Sequence, residues 1–178
     1  MKQALLILVV LAGMAHPAAA GSLLGGRCML PMLGLAFSTV NSLMVTPGTI
    51  SFLASNPNGG PVSGSSAATV NWSVVDGAAL QTWNISVQAT ASVFSGCTTV
   101  PVSAVTVSCA SASVGGGGTG TCGGSFTLST VAQHVAGGAQ GVGTQPYNVQ
   151  LNYTLAESWR YVANPSCSLT LIYTVNAL

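Results

Sequence analysis

The stretch Cys97-Thr98-Thr99-Val100-Pro101-Val102-Ser103-Ala104-Val105-Thr106-Val107-Ser108-Cys109, followed by a Gly/Ser/Thr run and Gly120-Thr121-Cys122, holds three of the five cysteines. Val102 to Cys109 is rich in β-branched residues. Val105, Val107 and Cys109 share one parity, so the segment reads as a strand with one apolar face. Ser111 to Gly120 has too little side-chain bulk to build a core and reads as a loop. A strand, a glycine loop and cysteines at both ends describe β-structure held by disulfides.

Working outward, the same period of two recurs. Ile50, Phe52 and Ala54 alternate with Ser51 and Leu53. Ala68, Val70, Trp72 and Val74 alternate with Thr69, Asn71 and Ser73. Trp83, Ile85, Val87 and Ala89 alternate with Asn84, Ser86 and Gln88. Asp76-Gly77 between the last two is a hairpin signal, so a β-hairpin with a tryptophan on each inner face is expected. A strand or two fall between Leu35 and Val45. Ser125 to Ser129 predicts a short strand with Phe126 and Leu128 inward, extended by Val131 to Val135, and Gly137 to Gly143 predicts a second glycine loop.

Near the end, Tyr147, Val149, Leu151, Tyr153 and Leu155 alternate with Asn148, Gln150, Asn152 and Thr154. Cys167, Leu169, Leu171, Tyr173 and Val175 alternate with Ser168, Thr170, Ile172, Thr174 and Asn176. About eight strands with turn signals between them and no helical period predict an all-β fold. Its architecture is expected to be an antiparallel β-sandwich, immunoglobulin-like or jelly-roll-like and stapled by disulfides, with a barrel as the alternative.

The first twenty residues have the layout of an export signal: Lys2, the apolar run Ala4 to Ala15, a break at His16-Pro17 and the small-residue site Ala18-Ala19-Ala20. The expected organisation is a signal over residues 1–20, a strand-exchanging or flexible segment over 21–35 and one β-sandwich domain over 36–178. Met29 to Phe37 is apolar but interrupted by Pro31 and too short to cross a membrane. The expected location is secreted, extracellular or on a cell surface, where disulfides persist. Sequence alone does not select among the cysteine pairings. The order of the strands favours Cys109–Cys122 across the glycine loop and Cys97–Cys167 at one end of the sandwich. Cys28 is then the free thiol.

The chain carries three Lys/Arg and two Asp/Glu, so 3% of residues are charged, against about 25% in ordinary globular chains. No basic field exists for nucleic acid and no polybasic patch for a membrane surface. A surface with so little net charge also lacks the repulsion that keeps proteins apart, which suits assembly.

The inventory for chemistry is thin. Asp76, Glu157 and His134 could be written into a triad or a glycosidase pair, but no G-x-S-x-G elbow accompanies them. Asp76 before Gly77 suits a turn. Cysteine and histidine spacings favour no metal or haem, and no cofactor is expected. Asn71, Asn84 and Asn152 begin N-x-S/T triplets. Trp159 and Tyr161 fall on one side of an extended segment and form a candidate stacking platform for a ligand such as a sugar.

Two functional expectations follow. The first is a non-enzymatic structural subunit of an extracellular fibre, pilus-like or matrix assembly. Its partners would be copies of itself or other cell-surface proteins, joined by strand addition of the segment containing Met29, Leu33, Leu35 and Phe37. The second is a secreted module that binds glycans or another surface ligand through Trp159 and Tyr161.

Overall fold

The computed structural model describes residues 5–13, 39–54, 60–158 and 167–178. Fourteen strands are formed there. The first half of the chain supplies β1 (Leu5–Gly13), β2 (Thr39–Thr46), β3 (Thr49–Ala54), β4 (Val62–Ser63), β5 (Ala68–Gly77), β6 (Thr82–Ala89) and β7 (Val93–Phe94). The second half supplies β8 (Cys97–Pro101), β9 (Val105–Val114), β10 (Thr121–Cys122), β11 (Phe126–Thr127), β12 (Gln133–Ala139), β13 (Gly143–Leu155) and β14 (Cys167–Ala177).

Two sheets face each other. One has the order β10-β12-β6-β14-β1-β3; the other has β11-β9-β13-β5-β2, with β4 beside β13. β7 and β8 form a small ribbon of their own. The alternation that marks each strand in the sequence becomes inside and outside. Ala68, Val70, Trp72 and Val74 of β5 are buried while Thr69, Asn71 and Ser73 between them are half-buried. Leu169, Leu171 and Tyr173 repeat the pattern on β14. All pairings between strands are antiparallel except that of β1 with β14.

Several expectations change in detail. β5 and β6 do not pair as a hairpin. β5 lies between β13 and β2, and β6 lies between β12 and β14, in the opposite sheet. Their tryptophans therefore meet across the sandwich. Trp72 and Trp83 make an edge contact with centroids 5.4 Å apart, and Tyr147 stacks on Trp72 at 5.3 Å. Aromatic contacts of this kind add about 0.5–1.5 kcal/mol beyond the area they bury. Asp76 has φ 57°, a left-handed turn conformation that aspartate tolerates better than most residues. It precedes the turn 78–81 that carries the chain to β6 in the opposite sheet, and it does not close a two-residue hairpin.

The expected strand Val102–Cys109 opens instead as a 3-10 turn at Val102–Ala104, and β9 continues to Val114 into the expected loop. The second expected loop is largely strand, since Gly137 and Gly138 lie within β12. These glycines permit a close backbone approach. A Cβ on Gly138 would stand 2.1 Å from the Thr119 carbonyl oxygen. The same Thr119 carbonyl accepts from the Trp83 indole N–H at 3.0 Å, and the Ala139 N–H donates to Thr119 Oγ1 at 3.0 Å. The glycine loop is thus tied down against β12 and the core. Phe126, expected inward, is half-buried at the margin, whereas Leu128 is fully inside.

Candidate functional site: a strand position between the two ends of the chain

The segment that reads as the apolar core of an export signal lies inside a sheet. β1 runs between β14 and β3, parallel to the first and antiparallel to the second. Ile7, Val9, Leu11 and Gly13 stand opposite Cys167, Leu169, Leu171 and Tyr173, and Ile7 and Val9 also stand opposite Phe52 and Ile50. All six of those neighbours are buried. The strand position therefore has core side chains along both flanks and unpaired backbone on both sides whenever it is empty.

The flank formed by β14 is fixed at two points. At its start, Cys167 is bonded to Cys97 of β8. Six residues on, the Tyr173 hydroxyl hydrogen-bonds the Tyr153 hydroxyl of β13, tying this sheet to the other through the core. Both tyrosines are almost completely buried. Burial raises both hydroxyls above their ordinary pKa near 10; beside Tyr153 the Tyr173 group adds to the rise, and for Tyr173 the shared hydrogen bond offsets part of it.

The consequence for stability has a definite sign. A hydroxyl whose pKa is higher folded than unfolded contributes fully below the unfolded value, and its contribution is lost as pH rises past that value toward the folded one. The thermal midpoint is expected to be level from neutral pH to about pH 9 and to fall above about pH 10. Melting curves across that range check this, and Tyr173→Phe is expected to flatten the fall while lowering the midpoint at neutral pH. A midpoint equally level above pH 10 would contradict the role given to this pair.

The second disulfide, Cys109–Cys122, joins the expected residues by a different geometry. Cys122 is on β10, which pairs β12, while Cys109 is on β9 in the other sheet. The bridge thus links the two sheets and does not brace one hairpin; β9 pairs instead with β11, at Phe126 and Thr127.

Other candidate residues stay apart or fall outside the described residues. Asp76 is exposed at the end of β5, His134 is exposed on β12 opposite Ser86, and Glu157 follows β13. They lie on three separate elements. Among the described residues no group of three His, Cys, Asp or Glu side chains could hold a metal ion, and no helix is long and apolar enough to cross a membrane. Asn71 and Asn84 each accept a hydrogen bond from an asparagine on the neighbouring strand, Asn148 at 2.7 Å and Asn176 at 3.2 Å. Asn152 is exposed. Cys28, Met29, Leu33, Leu35, Phe37, Trp159 and Tyr161 lie outside the described residues.

Nothing in the spacing of residues 5–13 marks them as a strand of this sheet. The alternation of Ile50/Phe52 and Leu169/Leu171 marks which of their faces look inward and does not tell that residues 5–13 lie between them. No family model matches the chain, and no curated protein matches it in sequence.

Proposed function

We propose that the protein is a non-enzymatic structural subunit of an extracellular assembly, exported by residues 1–20 and joined to its neighbours by strand addition. The observation that carries this reading is the place of residues 5–13 between β3 and β14. Their composition is that of a temporary occupant. The flanking strands alternate apolar with mostly polar residues: Thr49, Ser51, Ser168 and Thr170 lie on the outer parity, with Leu53 and Ile172 as apolar exceptions. A sheet with one face to water calls for that alternation. Leu5 to Ala12 is apolar on both parities, which export requires and this sheet does not.

Loss of the segment opens two backbone edges above a row of core side chains. Exposed edges of this kind template the addition of another strand. The lack of charge removes the usual barrier to contact between copies. Two disulfides fit an oxidising compartment.

Expression of the full chain in an exporting bacterial host tests the reading. Mass spectrometry is expected to find a product that begins near Gly21. Size-exclusion chromatography and negative-stain microscopy are expected to show multimers or filaments. A product without residues 1–20 that stays strictly monomeric would overturn the proposal.

A further inference from the structure

Resting on that reading, we infer that the strand position between β3 and β14 is filled in the assembly by residues 29–37 of a second copy of the chain. Strand directions place β2 and β3 relative to the open position. β5 and β6 lie in opposite sheets and are joined by the turn 78–81, so they run in opposite senses. β2 is antiparallel to β5 and hence runs with β6. β14 is antiparallel to β6, β1 is parallel to β14, and β3 is antiparallel to β1, so β3 also runs with β6. β2 and β3 are therefore one line of chain that changes sheets at Pro47-Gly48.

Chain reach then excludes a copy's own segment. Val10 stands opposite Thr49, and β1 ends three residues further, at Gly13. On the same line Thr39 lies ten residues before Thr49. Thr39 thus stands roughly 20 Å beyond Gly13 at the usual rise per residue of a strand. Phe37 is two residues from Thr39 and reaches about 7 Å at most. A copy could not place Phe37 at the Gly13 position without pulling β2 from β5. With the segment reversed, Phe37 would be further away still. Sliding the segment until Phe37 meets Thr39 would leave the positions of residues 5–9 empty, and those are the positions beside β3.

Beyond residue 20, Met29 to Phe37 is the longest uncharged apolar run outside the described residues; residues 21–28 hold Arg27 and three glycines. Residues 55–59 read Ser-Asn-Pro-Asn-Gly, and 159–166 read Trp-Arg-Tyr-Val-Ala-Asn-Pro-Ser; both contain strand breakers or charge. Met29 to Phe37 is nine residues, the length of β1. From Leu33 its parities separate into Leu33, Leu35 and Phe37 against Gly34 and Ala36. That gives large side chains for the core flank and small ones for the outer face. With Phe37 at the Gly13 position, Pro31 falls at that of Ile7, opposite Cys167 and Phe52, and forgoes one ladder hydrogen bond there. The segment precedes β2 directly, so each copy carries its donor strand at the end of its own sandwich.

Two complementary variants test the inference. Ala18→Gln with Ala20→Gln blocks removal of residues 1–20, so that copy keeps its position filled and can only donate. Deletion of residues 29–37 leaves a copy that can only accept. Each alone is expected to be monomeric after export, and an equimolar mixture is expected to run at twice the monomer mass. Folded components that stay monomeric when mixed would overturn the inference, as would a deletion variant that assembles like the native chain. If the deletion variant is unfolded, a synthetic peptide of residues 29–37 is expected to restore its thermal transition where a scrambled peptide does not, and failure of the peptide to do so counts against the inference. Native assemblies unaffected by the deletion would leave the extracellular assembly standing and sink only this segment, whereas a monomeric native product would sink both.

Discussion

Replacing Cys97 and Cys167 together by alanine is expected to lower stability by roughly 4 kcal/mol, against roughly 3 kcal/mol for the same change at Cys109 and Cys122. The first pair closes a loop with a sequence separation of 70, the second one of 13. A longer loop removes more freedom from the unfolded chain, though the dependence is only logarithmic. Position adds to the difference. Cys167 is the first residue of β14 and is completely buried, and Cys97 is nearly so. The bond holds the start of the strand that forms one flank of the β1 position, next to the undescribed residues 159–166. Chemical denaturation of the oxidised variants measures both effects, and alanine is preferred because serine would bury unpaired hydroxyls. The loss of Cys97–Cys167 is also expected to reduce assembly, since a frayed flank cannot hold an incoming strand. A smaller cost for this pair than for Cys109–Cys122, with assembly intact, would contradict both the loop-length effect and the role of the bond in holding the flank.

The faces of the strands were legible in the sequence, but their partners were not. A period of two tells which residues look inward, and Trp72, Trp83, Tyr147, Tyr153 and Tyr173 are all inside as the alternation requires. It carries no information on which strand lies alongside. Asp76-Gly77 therefore read as a hairpin, while Gly77 in fact pairs with Gly143 of β13 and the chain passes to the other sheet. The bridge Cys109–Cys122 was expected from a pairing of adjacent strands, yet the bond crosses between sheets. Both geometries bring the same two residues together, so the pairing was readable and its reason was not. Gly137 and Gly138 looked like loop punctuation because glycine suits both a loop and a strand that another backbone approaches closely.

The candidate site was hidden for a different reason. Leu5 to Gly13 consists of residues that serve equally as the apolar core of an export signal and as a β-strand. Local composition cannot separate those uses. Only the long-range register, with Val9 between Ile50 and Leu169, shows where the segment fits. Once that register is known, the outer parity of the segment can be compared with its neighbours: Leu8 and Val10 stand beside Ser51, Thr49, Ser168 and Thr170, while Leu6 and Ala12 meet Leu53 and Ile172.

The second large effect concerns an empty strand position. In the sheet order β3 has β1 as its one strand neighbour. A chain without residues 1–20 and without a donor therefore leaves the alternate amides of Thr49–Ala54 that point at β1 without a ladder partner, while on the other side the Ser51 N–H still donates to Ser65 Oγ. β14 keeps β6 on its other side, so about every second amide between Cys167 and Tyr173 loses its partner, as the pleat alternates direction. Ile50, Phe52, Leu169 and Leu171 are then covered from fewer sides. Burying each such side chain stabilises by about 1.5–3 kcal/mol, so the open form should be much less stable than the filled one and prone to aggregate.

Amide hydrogen exchange, followed on the chain of residues 21–178 as a monomer and again after assembly, tests the central claim most directly. Alternate amides of Thr49–Ala54 and of Cys167–Tyr173, those that point at the β1 position, are expected to exchange rapidly in the monomer and slowly in the assembly, while β5, β9 and β13 are slow in both. Equal, slow exchange of these β3 amides in monomer and assembly would contradict this, because the place of residues 5–13 would then need no second occupant.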